Sequence, residues 1–412
     1  MRILHLTTEF PWPATSGGMV RTVSQLRILA SLPEVEAITT LAVAEHRVGD
    51  ADRRAFAQAV PKLCVLPPVF HPVHLFDFKS YVPRVAALRI LGGVPYLAGK
   101  WDSPTMRKRV RSELIESAAK VVYIDHLGMA RYLSDIQATR PLSRVVLDQH
   151  NVESDFFAQL ASRVTGARRL AARAEHRASV RFERRALQAV DSVIAISEED
   201  ARRFDALAGV RAHVVPVAYE PERRARPPSL RPHFCYVGNL RWRPNIAGLD
   251  WLCQEVWPRI RARVQDATLE IAGVGLEREA RGRLCVPDAW RVSGVETSGF
   301  LDDLEPLYAR SLAMLAPVHG GSGVRIKLLE GFCAGIPVVT TPDGAAGLPI
   351  EDGKEALVAS DPEALAERVE RLVRDAALRN RLRDAGYAYL DEHHSVAVAQ
   401  DAMRKALGLA RG

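Results

Sequence analysis

Along this chain, short runs of apolar and β-branched residues alternate with longer stretches in which apolar positions recur every three or four residues. The short runs predict strands at 3–8, 37–43, 62–66, 121–125, 144–149, 192–197 and 213–217, then at 234–238, 268–272, 290–294, 313–317 and 337–341. The longer stretches predict helices at 20–32, 106–119, 128–136, 155–189 and 198–207. In the second half they fall at 246–263, 302–310, 324–334, 362–375, 377–393 and 396–409. Strand and helix in turn predict parallel sheets covered by helices on both faces. In such sheets ligands bind beyond the carboxyl ends of the strands.

The alternation breaks between Val217 and His233, where four prolines and dense charge have the composition of an exposed linker. At 412 residues the chain is also too long for one ordinary core. The expectation is α/β, with two similar domains at 1–217 and 233–393 joined by a linker at 218–232 and separated by a cleft.

The densest chemistry follows the apolar run 312–317. Gly320, Gly321, Ser322, Gly323, Val324, Arg325, Lys327 and Glu330 put a glycine turn, two cations and a carboxylate within eleven residues. The order is that of strand, loop and helix start, where backbone N–H groups gather an anion. Arg325 and Lys327 oppose the helix dipole there, and a bound phosphate would reverse that sign. Glu330, one turn on, suits the vicinal hydroxyls of a ribose. The stretch fits a nucleotide diphosphate; the competing reading is a plain turn with a Lys327–Glu330 surface pair.

Other loops bear on the same cleft. Gly17 and Gly18 follow the first strand, with Arg21 in the next helical turn again set against the dipole. Gly238, Asn239, Arg241 and Arg243 follow the first strand of the second half, and 341–347 is a further strand-end loop. The glycines at 273 and 275 stop short of a dinucleotide fingerprint. In the first half, one strand ends on Asp125-His126, and another leads through Asp148 to His150, Asn151 and Glu153. A carboxylate beside a histidine can orient a sugar hydroxyl or move a proton. His150-Asn151 equally suits a turn and helix cap. None of these residues has metal-ligand spacing, so neither metal nor cofactor is expected.

Composition narrows the class. Apolar content of 48% with 25% charged residues is that of a soluble globular protein. No run of eighteen apolar residues predicts a membrane span, and the first residues lack a secretory signal. Five scattered cysteines suit reduced thiols, so a cytoplasmic setting is expected. The formal charge of +7 has one focus, eight arginines between Arg163 and Arg185. Arg169, Arg173, Arg177, Arg181 and Arg185 recur every fourth residue. They form either a solvated face partly balanced by Glu175 and Glu183, or a stripe for anionic lipid headgroups or a polyanionic acceptor, which would put the protein at the inner face of the membrane. Nucleic acid is not expected, since aromatics and recognition motifs are lacking. The aromatic segment 69–96, with Phe70, Phe76, Phe78, Tyr81 and Tyr96, is either a folded insertion or an acceptor-side or membrane-facing loop.

Together these residues resemble the family-4 retaining glycosyltransferases, over nearly the whole chain. The resemblance is carried by 10–21, by Val237-Gly238-Asn239-Leu240 with Pro244-Asn245, by Ala316-Pro317, and by 321–330 followed by Gly335-Ile336-Pro337-Val338-Val339. Segments 148–153 and 191–200 also look like family blocks. The resemblance implies the GT-B fold of two Rossmann-like domains, with the helix in 394–412 returning to the first. It implies transfer of a sugar from a nucleotide-diphosphate sugar to an acceptor hydroxyl, without a required metal, in glycan, exopolysaccharide or glycoconjugate synthesis. Glu330 would hold the ribose; Arg325, Lys327 and the backbone at 321–323 the diphosphate; and Gly17-Gly18 would close over it. Asp125 or His126 would touch the donor sugar, and His150, Asn151 and Glu153 would lie on the side of a glycan, lipid-linked or small-molecule acceptor. Two departures from the pattern stand out. Ser322 stands where a glutamate is usual, and Asn239 and Pro244 stand at or near a usual cation pair. Arg325 and Lys327 supply that charge in members with an Arg-x-Lys-x-x-Glu variant. Ser322 favours one alternative, a non-catalytic nucleotide-sugar-binding protein; a nucleotide-sugar epimerase is the other.

Overall fold

The computed structural model describes residues 1–71, 85, 87–221, 223, 231–277, 284–320 and 324–409. The chain forms two compact units, one of Met1–Ala14, Gly18–Val217 and Ala399–Gly412, the other of Thr15–Gly17 and Ala218–Val398. Each is built on a parallel sheet.

The first unit holds β1 (Arg2–Thr7), β2 (Ala37–Ala44), β3 (Leu63–Val65), β4 (Val69–Phe70), β5 (Val121–Asp125), β6 (Arg144–Asp148), β7 (Ser192–Ala195) and β8 (Ala212–Val214). Their order is β3-β2-β1-β5-β6-β7-β8, with β4 beside β2. β5 and β7 are buried along their whole length, as an apolar strand covered on both faces must be. The core joins Leu4, Leu6, Val122, Ile124 and Leu147 of the sheet to Met106, Leu114 and Ile136 of the helices. Helix α1 (Gly17–Ser31) turns Val23, Leu26 and Leu29 inward. The predicted helix at 155–189 is two: α2 (Asp155–Arg163) and α3 (Gly166–Gln188). The break has a local cause, since Val164 and Thr165 are extended and Gly166 takes φ +60°.

The second unit holds β9 (His233–Val237), β10 (Thr268–Ala272), β11 (Val295–Gly299), β12 (Ala313–Ala316), β13 (Val338–Thr340) and β14 (Leu357–Val358), in the order β11-β10-β9-β12-β13-β14. Its core gathers Phe234, Trp257, Ile260, Leu269, Leu315, Val339 and Leu372. The strand expected at 290–294 lies instead at β11. Trp290 sits in a short 3-10 turn, buried, with its indole N–H on Asp250 at 2.8 Å, so it anchors the loop rather than the sheet. Helix α4 (Ile326–Cys333) follows β12 and is buried at Ile326, Leu328, Leu329 and Phe332. The last helix, α5 (Val396–Leu407), hydrogen-bonds the first unit: Gln400 to Ser31 at 2.8 Å and Arg404 to Glu34 at 3.1 Å.

In both sheets the strand order reverses once, between β1 and β5 and between β9 and β12. The carboxyl ends at such a reversal are where open α/β sheets bind ligands. Phe76, Phe78, Tyr81, most of the linker and the triplet Gly321, Ser322 and Gly323 lie outside the described residues.

Candidate active site

In the first unit the reversal places Thr7 beside Asp125, and Asp125 beside Asp148, in register. Asp125 is buried and accepts from Thr7 Oγ1 at 2.9 Å, Thr22 Oγ1 at 2.8 Å and His150 Nε2 at 2.7 Å. His126 Nδ1 lies 3.3 Å from the same carboxylate, and the His126 and His150 rings are 3.8 Å apart between centroids. His126 is held at φ +74°, a conformation unfavourable for a residue with a Cβ and common at functional sites.

Burial alone would raise the Asp125 pKa, but the two imidazoles and their hydrogen bonds hold it well below the usual carboxylate range. Burial opposes charge on His126 too, yet Asp125, with Glu9 and Glu153 beyond, raises it to about 9. Burial, then the neighbouring charge of His126, lowers His150. At neutral pH the trio is therefore a carboxylate, an imidazolium and a neutral imidazole. One polar cluster thus presents an acid able to orient or protonate an oxygen. Asp125, His126 and His150 also offer ligand atoms within 4.8 Å of one another, a convergence that their spacing in sequence hides. In this geometry the carboxylate is engaged by hydrogen-bond donors instead.

The segment after β6 carries His150, Asn151 and Glu153, with His150 buried and the other two half-buried. It is held by a residue that sequence reasoning placed on the solvent face of α3. Glu183 is fully buried and accepts from Gln149 Nε2 at 3.1 Å, Glu153 N at 3.0 Å and Ser154 N at 3.1 Å. Burial raises its pKa to about 7. A glutamate among arginines at helical spacing gives no sign of this; only the partners reveal it.

Arg21 needs correction as a ligand contact. It is 1% exposed, donates to Asp148 at 2.6 Å and to the Val215 carbonyl at 3.0 Å, and Tyr123 Oη donates to the same aspartate at 2.8 Å. The residue is part of the first unit's interior, where a paired charge is tolerated. Gly18 lies with it in α1, whereas Gly17 groups with the second unit, where a Cβ on it would touch Ile326 at 3.4 Å.

In the second unit, the reversal brings the end of β9 to the start of α4. Lys327 is buried in the first turn of α4, and its ammonium donates to Tyr236 Oη and Asn245 Oδ1, both at 2.8 Å. It also lies 4.3 Å from the centre of the Tyr236 ring. Gly238 sits against it: a Cβ there would come within 3.1 Å of the Lys327 nitrogen. Asn239 turns the loop, accepting from the backbone N–H of Arg241 through Oδ1 at 2.9 Å and from Asn245 Nδ2 through its carbonyl at 2.9 Å. Arg241 is exposed and donates to the Gly275 carbonyl at 3.3 Å. Arg325 caps α4, buried, with its guanidinium on the carbonyls of Asp343 at 3.3 Å and Gly320 at 3.1 Å and 5.2 Å from the Trp242 ring centre. Val324 and Glu330 are half-buried beside it.

Burial pulls Lys327 down to about 7; Glu330 works against that and Arg325 adds to it. Burial also lowers Arg325 and raises Glu330. The structure thus brings Gly238, Lys327, Arg325 and Asn245 around one helix start, whose dipole opposes those cations. An anion would satisfy cations and helix end together.

Residues 231–375, which span this second site, match the family model described as "Glycosyl transferases group 1". Among curated proteins, the chain is 24% identical over 162 residues to an uncharacterized 44.6 kDa protein in the cps region of Klebsiella pneumoniae. That match covers 39% of this chain and 42% of the relative, so it spans less than half of either. In structure, the chain is similar to sucrose-phosphate synthase from Thermosynechococcus elongatus, with a TM-score of 0.68, 13% identity and coverage of 99% and 98% of the two chains. It is also similar to HepE of Anabaena in complex with UDP and glucose, with a TM-score of 0.66, 12% identity and 99% of each chain covered. These likenesses show the GT-B fold, and the family match supports a glycosyltransferase.

Proposed function

We propose that this protein is a retaining glycosyltransferase of the family-4 kind, in the subgroup whose donor motif runs Arg-x-Lys-x-x-Glu. The donor is a nucleotide-diphosphate sugar, the acceptor a hydroxyl, and the setting glycan or exopolysaccharide synthesis, which the cps-region relative favours. The observation that carries this reading is the buried Lys327 ammonium at the start of α4, whose hydrogen bonds among the described residues go to the neutral groups of Tyr236 and Asn245. A diphosphate fits that charge, and HepE, of the same fold, was crystallised with UDP and with UDP-glucose.

In this reading Lys327, Arg325 and the helix start stabilise the leaving diphosphate as its bond to the anomeric carbon breaks. The electron pair stays with the phosphate oxygen, the acceptor oxygen bonds the anomeric carbon, and the diphosphate takes the acceptor proton on the same face. Electrostatic stabilisation of a leaving group is worth several kcal/mol. Glu330 holds the ribose, with Gly17, Gly18, Gly238, Asn239 and the backbone at 321–324 around the donor. Asp125 and His126 meet sugar hydroxyls, and His150, Asn151 and Glu153 serve the acceptor. The reaction as written draws on no metal. Among the described residues no helix is long and apolar enough to cross a membrane, and peripheral contact with an anionic membrane through Arg169, Arg173, Arg177, Arg181 and Arg185 belongs to the same reading.

A thermal-shift panel of uridine, guanosine and adenosine diphosphates and their sugars tests the donor site, since a ligand of the folded state raises apparent stability. The selected donor is then incubated with and without acceptor glycans, and the anomeric configuration of the product is read by NMR. Retained configuration supports the proposal. A new sugar isomer from donor alone means an epimerase, and nucleotide binding without turnover on any acceptor means a binding protein.

A further inference from the structure

The two carboxylates expected to balance part of the arginine face of α3 do not face it. Glu175 accepts from Arg89 at 2.9 Å and from the Tyr96 backbone, and Glu183 is fully buried beneath α3. Arg169, Arg173, Arg177, Arg181 and Arg185 are all exposed, and among the described residues none of them has a hydrogen-bond or ion-pair partner. At four-residue steps they wind about 160° around the helix, opposite the buried Ala172, Ser179, Glu183 and Ala186 and bounded by the buried Ala178 and Leu187.

A second, independent feature adjoins them. α2 and α3 pack together across a two-residue connection as a helical hairpin. Near its tip, Leu160 in the last turns of α2 is 38% exposed and Leu170 in the second turn of α3 is 67% exposed. Phe156, one turn before Leu160 on the same face, is 60% exposed, while Phe157 and Ala161 are turned inward. Isolated exposed apolar residues are ordinary, but three large ones on one short helical hairpin that also carries unpaired arginines are not.

We infer that the α2–α3 hairpin is a membrane-docking device. Phe156, Leu160 and Leu170 enter the headgroup boundary of an anionic bilayer, and the arginines of α3 engage its phosphates. The combination of apolar anchors with a basic polar face is what lets a helix lie in that interface. A nucleic acid or soluble polyanion would use the arginines and leave the three apolar side chains in water, so the bilayer is the occupant that explains both. The inference extends the membrane contact in the proposed function. The hairpin follows directly on the segment carrying His150, Asn151 and Glu153, so docking would bring a lipid-anchored acceptor to that segment.

The test is co-sedimentation of the full chain with vesicles of phosphatidylcholine alone and of phosphatidylcholine with phosphatidylglycerol. Binding to the anionic vesicles only, weakened by salt, is expected. Replacing Arg169, Arg173 and Arg177 together by Gln should lower partitioning about 100-fold, since each cation near such a surface contributes about fivefold. Phe156→Ser, Leu160→Ser and Leu170→Ser together should lower it about tenfold while leaving heparin binding unchanged. All six side chains are exposed, so the melting temperature should hold in both variants. No binding to either vesicle, equal binding by the arginine variant, or binding to heparin without binding to vesicles overturns the inference. Nucleoside diphosphate binding by the same preparation reports separately on the glycosyltransferase reading: its absence beside intact vesicle binding would sink that reading and leave the docking surface standing.

Discussion

The two units share a plan and differ in how they treat charge. Both are parallel sheets whose strand order reverses once, and both set their polar residues at the carboxyl ends beside that reversal. In the first unit the buried charge is answered from within: Asp125 has Thr7, Thr22, His126 and His150 around it. In the second, the hydrogen bonds of Lys327 among the described residues go to the neutral groups of Tyr236 and Asn245, and Glu330 offsets its burial without pairing with it. A charge satisfied by its own fold fixes geometry and orients neighbours. A buried charge hydrogen-bonded to neutral groups keeps an unfavourable desolvation term, which an incoming opposite charge relieves. The contrast is what the proposed roles require, positioning of hydroxyls at the first site and capture of an anion at the second.

The largest effect expected from breaking this contrast is Asp125→Ala. It strips the partner from a buried imidazolium and leaves two threonine hydroxyls unpaired, so a loss of about 3–5 kcal/mol is expected in urea denaturation. A loss under about 1 kcal/mol would mean the network is not the internal keystone described. Lys327→Met is expected to change stability far less, because removing the ammonium also removes its desolvation penalty. Its signature is in the pH dependence. The folded Lys327 pKa lies below the unfolded one, so wild-type stability should rise with pH between about 7 and 10.5, where the unfolded chain keeps a proton that the folded chain has lost. Melting curves of the variant should lack that rise. The smallest effect concerns Glu183→Gln. Its folded pKa is raised from 4.5 to about 7, so this group's contribution to stability falls as pH rises through that window, and the variant should lose the fall. Transfer assays should show a several-fold higher acceptor KM with donor KM unchanged. An unchanged acceptor KM would make Glu183 a purely structural residue.

Much of this architecture was legible in the residues. Apolar runs such as 121–124 and 313–316 announced parallel sheets, because a strand buried on both faces has no polar alternate positions. The out-of-place cations at 325 and 327 do lie at a helix start, as the order of strand, loop and helix in the residues predicted. What stayed hidden depends on partners distant in sequence. Arg21 looked like a ligand contact because its helical position was visible and Asp148, 127 residues away, was not. Glu183 looked like one half of a charge-balanced face, whereas three N–H donors 29 to 34 residues away turn it inward. The convergence of Asp125, His126 and His150 likewise follows from β5 and β6 lying side by side, which no local spacing encodes.

The central claim is that Lys327 is a cation kept for a diphosphate. Isothermal titration of the nucleoside diphosphate selected by the thermal panel, run from pH 6 to 9 in two buffers of different ionisation enthalpy, tests it most directly. Because the free Lys327 titrates near 7, binding should take up close to one proton at pH 8, and affinity should fall by up to about tenfold per pH unit above 7. Both features should vanish in Lys327→Met, with a weaker, pH-independent affinity. Binding that takes up no proton and holds its strength across the range, or a variant that binds like the wild type, would contradict the account.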